Sequence, residues 1–388
     1  MQHSFLRHFD RINDKYGAWL FYIGLFLMIV CKYWFLTNKE MPNAYFSLHI
    51  LLYHVGRLLI TCRLLLFSRK YPLYVIFCLI TGALFLYSSR LSQSTTLIYS
   101  FFIIAASRDT ENKVILKLFL LAFLFVFCTA LISWNFSWTS DIVKHRFDLV
   151  GHSWGFNNPN TLAFLMMMST FLVLQYWDVK QTKVIWIVCW AAAILIFFCT
   201  ISLTPFIILL LIPLFEYIQK LYRIPAWSLA LFPSVCLLVS ILLSFYYGPS
   251  YGSTTFESRF SIPALVFQNY GLSLFGQEYG FVSIFTAWIT GEQPLCVDNL
   301  YMHLFLCNGV IIALFVIIFL SHLLYLIGDW GNPLLVSSAI GITLSGMMEP
   351  IPIDVIVNFM LLYYFHLFAP PSKSVQEVLD SKKCHERI

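Results

Sequence analysis

VILKLFLLAFLFVFCTALIS, residues 114–133, holds twenty residues of which only Lys117 is charged. An α-helix rises 1.5 Å per residue, so about 20 apolar residues span the hydrocarbon core of a bilayer. Water would hydrate the backbone of such a segment; lipid cannot, and a helix satisfies every N–H and C=O internally. The stretch therefore reads as a transmembrane helix, and the remainder of the chain follows from it.

The whole composition agrees. Hydrophobic residues make up 60% of the 388 and charged residues 11%, with a mean hydropathy of +0.78, whereas a soluble domain carries roughly a quarter charged residues. This excludes an ordinary soluble enzyme, and no nucleic-acid partner is expected. Aromatic residues reach 18%, including 38 Phe and 21 Tyr, which suits lipid-facing surfaces and interfacial belts. The ten cysteines lie mostly inside apolar segments and read as small core residues, with Cys296 in an outer loop. Arg7, Arg11 and Lys15 precede the first apolar segment, and no small-residue cleavage site follows it; it reads as a retained span.

Applying the 20-residue criterion along the chain gives about twelve spans. They fall near 17–36, 44–66, 72–88, 92–107, 114–133, 160–177, 184–199, 201–219, 226–247, 300–327, 332–348 and 353–369. The predicted fold is all-α: a polytopic integral membrane protein with one membrane-embedded domain, 1–369, and a polar cytoplasmic tail, 370–388. An even span count puts both termini on one side. With both inside, seventeen of the 24 Lys and Arg residues fall in inner segments and six in outer ones, as the positive-inside rule requires.

Two outer loops are long, 134–158 and 248–299. In the second, SRFSIPALVFQNYGLSLFG (258–276) reads as a short helix with Ser261 as a cap and Pro263 in its first turn. In the first, RFDLVGHSWGFNNPNTLAF (146–164) crowds polar groups between two apolar segments. Arg146 there and Arg259 in the second loop are the candidate anion ligands, because a guanidinium bonds phosphate bidentately; the alternative is contact with lipid headgroups. Within a span, His54 and Arg57 share a helical face. A cation at that depth needs a partner or a wet cavity, unless it snorkels to the inner interface beside Arg63.

His152 is a candidate general base, or else a loop histidine bonded to a carbonyl. Asp298, at the entry to the tenth span beside Asn299, is the other candidate base, or else the N-cap of the helix from Leu300. Glu349 and Asp354 read as turn and cap residues. Asn157, Asn158 and Asn160, around Pro159, can cap the sixth span or bond sugar hydroxyls. The chain contains no GxxxxGK[ST], HExxH, GxSxG or CxxC motif and no clear DxD pair. Chemistry without ATP, cofactor or a tightly held metal is expected.

With these residues in place, RFDLVGHSWGFNNPNTLAF and the later SRF, SLFGQEYG and VDNLYMHLFLCNG patches resemble the Wzy-type repeat-unit polymerases of bacterial surface polysaccharides (O-antigen, exopolysaccharide, capsule) and, more distantly, the O-antigen ligases. The resemblance spans nearly the whole chain through motifs of moderate specificity. It implies a GT-C-like glycosyltransferase of the cytoplasmic membrane. Its substrates would be oligosaccharides on undecaprenyl diphosphate, joined at the outer face; a chain-length regulator and a flippase of the same pathway are the implied partners. It also implies that Arg259 and Arg146 hold diphosphate, that Asn157, Asn158, Asn160 and Asn299 line the glycan site, and that Asp298 stands where ligases carry histidine. Leu203 stands where relatives often have arginine; that phosphate contact is either absent or supplied by Arg57. The rival readings are a lipid-linked oligosaccharide flippase and a ligase-like glycan transferase.

Overall fold

A computed structural model describes residues 16–32, 43–68, 72–108, 110–137, 139, 141–146, 149–156, 158–252, 254–280, 282 and 295–364. Long apolar helices dominate them: α1 (Tyr16–Lys32), α2 (Asn43–Ser68), α3 (Pro72–Ser92), α4 (Thr96–Ala106), α5 (Asn112–Asn135), α6 (Pro159–Tyr176), α7 (Thr182–Thr200), α8 (Leu203–Leu221), α9 (Ala226–Tyr247), α10 (Thr255–Tyr270), α11 (Leu300–His303), α12 (Val310–Trp330) and α13 (Pro333–Ser345). Among the described residues six helices, α2, α5, α7, α8, α9 and α12, are long and apolar enough to cross a membrane. The protein is an all-α polytopic membrane protein apart from one hairpin.

Side-chain distribution supports this more strongly than length does. Ile187, Phe198, Phe245 and Ile318 are each 68–70% exposed, a cost in water on so many apolar residues but none in lipid. The core gathers around α6, where Phe164, Met167, Met168, Phe171 and Leu172 are buried between α5 and α7. α8 packs on α7 and α13, and α9 on α10 and α12. Helices α1 and α2 approach closely through Gly24 and Gly56; a Cβ on either would stand 2.9 Å from the other's carbonyl oxygen, the small-residue contact typical of helices in lipid.

Four expected spans turn out differently. The eleventh, 332–348, is the 13-residue α13, about 20 Å long. The fourth, 92–107, is the 11-residue α4, about 16 Å long and only half of a bilayer core. The tenth, 300–327, is broken: α11 widens into a π-turn over Leu304–Asn308, Gly309 takes φ +95°, and α12 starts afresh. The long loop fills the break. Val310 and Ile311 N–H donate to the Ser273 and Leu274 carbonyls, and Gln277 N–H to that of Cys307, while the Gln277 side chain donates to the Leu306 carbonyl at 3.1 Å. Irregular backbone persists at such depth only when protein satisfies it. The twelfth, 353–369, is not a continuous helix over its described part: Ile351–Ile353 and Phe359–Leu362 form largely buried 3-10 turns around an Asp354 turn, held by prolines 350 and 352. Residues beyond Tyr364, with the tail 370–388, lie outside the described residues.

Of the long loops, 134–158 contains a hairpin, β1 (Lys144–Arg146) paired antiparallel with β2 (Leu149–Gly151). The loop 248–299 does contain a helix, but α10 begins earlier than the sequence suggests. Thr254, not Ser261, caps it by accepting from Glu257 N–H at 3.2 Å, because Thr254 and Glu257 have capping-box spacing. Pro263 sits inside.

At Gly309 a Cβ would lie 2.3 Å from Gly276 N. Gly309→Ala is expected to cost at least about 1–3 kcal/mol through its left-handed φ alone, lowering the thermal unfolding midpoint of the detergent-solubilised protein by a few degrees.

Candidate functional site: two polar cavities at one end of the bundle

Early capping of α10 places Arg259 on its inner face, between the fully buried Phe260 and Ser261 and two acids from distant segments. Its Nη1 forms an ion pair with Asp298, and its Nη2 donates to Glu349 Oε1 at 3.2 Å. Asp298 also accepts from the Cys296 thiol at 2.9 Å. Side-chain exposures of 10%, 24% and 13% for Arg259, Asp298 and Glu349 make this a largely desolvated triad, in which loss of one member strands another's charge. The N-cap reading of Asp298 is corrected: Asn299 caps α11, accepting from Met302 N–H at 3.1 Å and donating to Ser240 Oγ at 3.0 Å. One residue suffices for the cap, which frees the aspartate for the arginine.

Two members of the triad, Arg259 and Glu349, line a cavity of about 270 Å³ with Lys144, Asn160, Ser202 and Thr204; Asp298 reaches it only through its ion pair with Arg259. Lys144 Nζ donates to Asn160 Oδ1 at 3.1 Å. Asn158 caps α6, accepting from Asn160 N–H at 2.8 Å, which is the capping role expected of one of these asparagines. Burial pushes the Glu349 carboxyl up to about 7, helped by the negative Asp298 and opposed by Arg259 and Lys144. Glu349 is therefore a neutral acid below pH about 7 and a carboxylate above it.

A second cavity, of about 370 Å³, lies next to the first. Neighbouring residues divide between them: Asn160 lines one and Thr161 the other, Glu349 one and Pro350 the other. Its polar groups include Lys32, Asp354, His303 and Asn308. Lys32 forms an ion pair with Asp354. Arg57 lies close enough to Lys32 to repel it electrostatically and is stacked on two tyrosines, its guanidinium carbon 4.2 Å from the Tyr53 ring centre and 3.5 Å from that of Tyr99. Two aromatic faces stabilise this half-buried cation. Arg63 is separately buried, donating to the Arg108 carbonyl at 3.1 Å.

The His152 ring bonds a carboxylate, while its backbone N–H donates to the Cys199 carbonyl. Its Nδ1 is 2.5 Å from Asp141 Oδ2, and Asp141 also accepts from Ser153 and Trp154 N–H at 2.8 and 3.0 Å. Burial pushes the Asp141 carboxyl up, but the histidine and the two N–H groups outweigh it and hold it below the ordinary carboxylate value. A carboxylate on Nδ1 orients the ring for proton transfer at Nε2. Arg146 belongs to β1, and its side chain, like Asn157, lies outside the described residues. Among the described residues no cluster of three or more His, Cys, Asp or Glu side chains is assembled to hold a metal, and the nine described cysteines are free.

Of the sequence candidates, the structure joins Arg259 and Asn160 around one cavity, ties Asp298 to Arg259, and places Arg57 within electrostatic range of Lys32 in the other. Sequence reading missed Lys144, Lys32 and Asp141 as partners and took Glu349 for a turn residue only; Asp354 does hold a turn, accepting from Ile356 N–H at 3.2 Å, and pairs with Lys32 as well. The available signal was a charge beside a proline-rich turn, MMEPIPID (347–354). The fold and the site together define a helical membrane protein with a charged double cavity at one end of its bundle. Comparison with family models, with curated proteins and with solved structures finds no match.

In infrared difference spectra, the protonated carboxyl band of Glu349 is expected to disappear as pH rises through about 7 and to be missing from Glu349→Gln. A Glu349 band titrating in the ordinary carboxylate range contradicts the burial argument.

Proposed function

We propose that the protein is a membrane-embedded polysaccharide polymerase. It joins undecaprenyl-diphosphate-linked oligosaccharide units at the outer face of the cytoplasmic membrane, with both termini in the cytoplasm. The observation that carries this reading is the Arg259 guanidinium held between Asp298 and Glu349 at the wall of a cavity that also presents Lys144. Two cations there suit a diphosphate, and the acids suit a hydroxyl that must lose its proton. The resemblance of the two loop motifs to Wzy-type polymerases supports the same class.

In the proposed reaction, an acceptor sugar hydroxyl attacks the anomeric carbon of the donor unit from the face opposite the diphosphate. The new carbon–oxygen bond forms as the bond to the diphosphate oxygen breaks, with inversion and without metal or nucleotide. The electron pair leaves with the lipid diphosphate, whose growing charge Arg259 and Lys144 stabilise. The hydroxyl proton passes to a carboxylate. Glu349 is the better acceptor of the two acids, because both Asp298 oxygens are already engaged and a base titrating near the working pH is the more efficient. Asp298 then aims Arg259. The Asp141-oriented His152 is the competing base.

Protein reconstituted in liposomes with lipid-linked oligosaccharide tests the reading. A ladder of lengthened products is expected; a single transfer means a ligase, and unaltered substrate means a transporter. Arg259→Ala should abolish the ladder and leave single-unit glycolipid. Glu349→Gln should slow elongation by about 10²–10⁴ and remove the rise in wild-type rate through pH about 7, while His152→Ala keeps that rise. The reverse pattern assigns the base to His152.

A further inference from the structure

An apolar groove adjoins the second cavity, and the two share Leu97 and Ile353 as walls. The groove, of about 290 Å³, lies between α3, α4 and α12. It exists because α4 is only 11 residues long, too short to seal the wall that α3 and α12 flank. Phe85 and Leu97, 4% and 5% exposed, lie at its base, while Phe77 and Ile318, 48% and 68% exposed, stand at its open side. It therefore opens sideways to the apolar exterior.

Its direction is fixed by the helices. Leu97, Phe101 and Ile104 descend successive turns of α4 from the cavity end, and Phe315, Phe319 and His322 do the same on α12. From residue 315 to 322 the groove runs about 10 Å along the helix axes, the direction of an acyl or prenyl chain in a bilayer. At the far end His322 Nδ1 meets the Tyr364 hydroxyl at 3.1 Å.

At the near end Lys32 lines the cavity and Arg57 lies within electrostatic range of it, two cations against one carboxylate, Asp354. Arg57 Nε is buried and has no hydrogen-bond partner among the described residues. A buried guanidinium nitrogen left unbonded is costly unless a ligand supplies an acceptor. Excess positive charge at the top of a hydrocarbon-lined slot matches one shape of molecule: an anionic head on a long apolar chain.

We propose that the second cavity and this groove form a lipid-phosphate site, with the phosphate or diphosphate against Lys32 and Arg57 and the first units of a prenyl chain between α4 and α12. Under the polymerase reading it seats the acceptor, the second lipid-linked unit; only that assignment rests on that reading, and lipid binding itself does not.

A photoreactive benzophenone-farnesyl diphosphate added to the full-length protein in nanodiscs tests it, with adducts mapped by mass spectrometry. Labelling of α4 and α12 in both wild type and Arg259→Ala is expected, since the site is separate from the Arg259 cavity. Labelling confined elsewhere, or lost in Arg259→Ala, overturns it. By equilibrium binding, Lys32→Ala, Arg57→Ala and the groove-filling Ser100→Trp should each weaken farnesyl diphosphate by about tenfold or more. Inorganic diphosphate should bind more weakly and ignore Ser100→Trp; equal affinity for the two ligands in wild type overturns the tail assignment. Groove labelling without a product ladder leaves this site standing and removes the polymerase. A ladder without groove labelling does the reverse.

Discussion

Arg259 ties the polar end of the molecule together. Its guanidinium joins α10 to Asp298, at the start of the broken helix, and to Glu349, in the turn after α13. Near a low-dielectric boundary no member of such a triad tolerates isolation, because each charge would then bear its own desolvation cost. The long loop therefore folds down onto the bundle, and cavity walls from three separate chain segments acquire one geometry.

The same requirement for satisfied polar groups explains the backbone. Where α11 and α12 part at Gly309, residues 273–277 of the loop bond the freed N–H and C=O groups. The loop is thus part of the bundle's structure as well as its cover. It fixes α11, whose cap Asn299 donates to Ser240 and whose last residue His303, with Asn308 of the π-turn, lines the second cavity. Adjacent residues of α6 and of the 349–350 turn face different cavities, so the same two segments form the partition between them.

Much of the fold was legible. Spans such as 114–133, 184–199 and 226–247 declare themselves because a helix in lipid needs nothing beyond length and apolarity. The polar loops were legible for the opposite reason, since Arg259, Asp298 and the 157–160 asparagines have no place in hydrocarbon. Pairing was not legible. Lys32 and Asp354 are 322 positions apart, and Asp141 and His152 are joined by a hairpin whose turn gives no strong signal. The π-turn, the half-length α4 and the 3-10 turns after Pro350 also escaped, because apolar composition reports burial in lipid and not which backbone geometry packing imposes. Glu349 read as a turn residue for the same reason: its importance arises from Arg259, 90 positions away.

The central claim is that Arg259 and Glu349 act as one coupled unit. A double-mutant cycle on unfolding free energy with Arg259→Ala, Glu349→Gln and the double variant measures that coupling directly in detergent-solubilised protein. The account predicts strong non-additivity, with the double variant more stable than the summed single losses imply by at least about 1 kcal/mol. Losses that simply add would show that the two residues do not meet, and the site would have to be rebuilt without that contact.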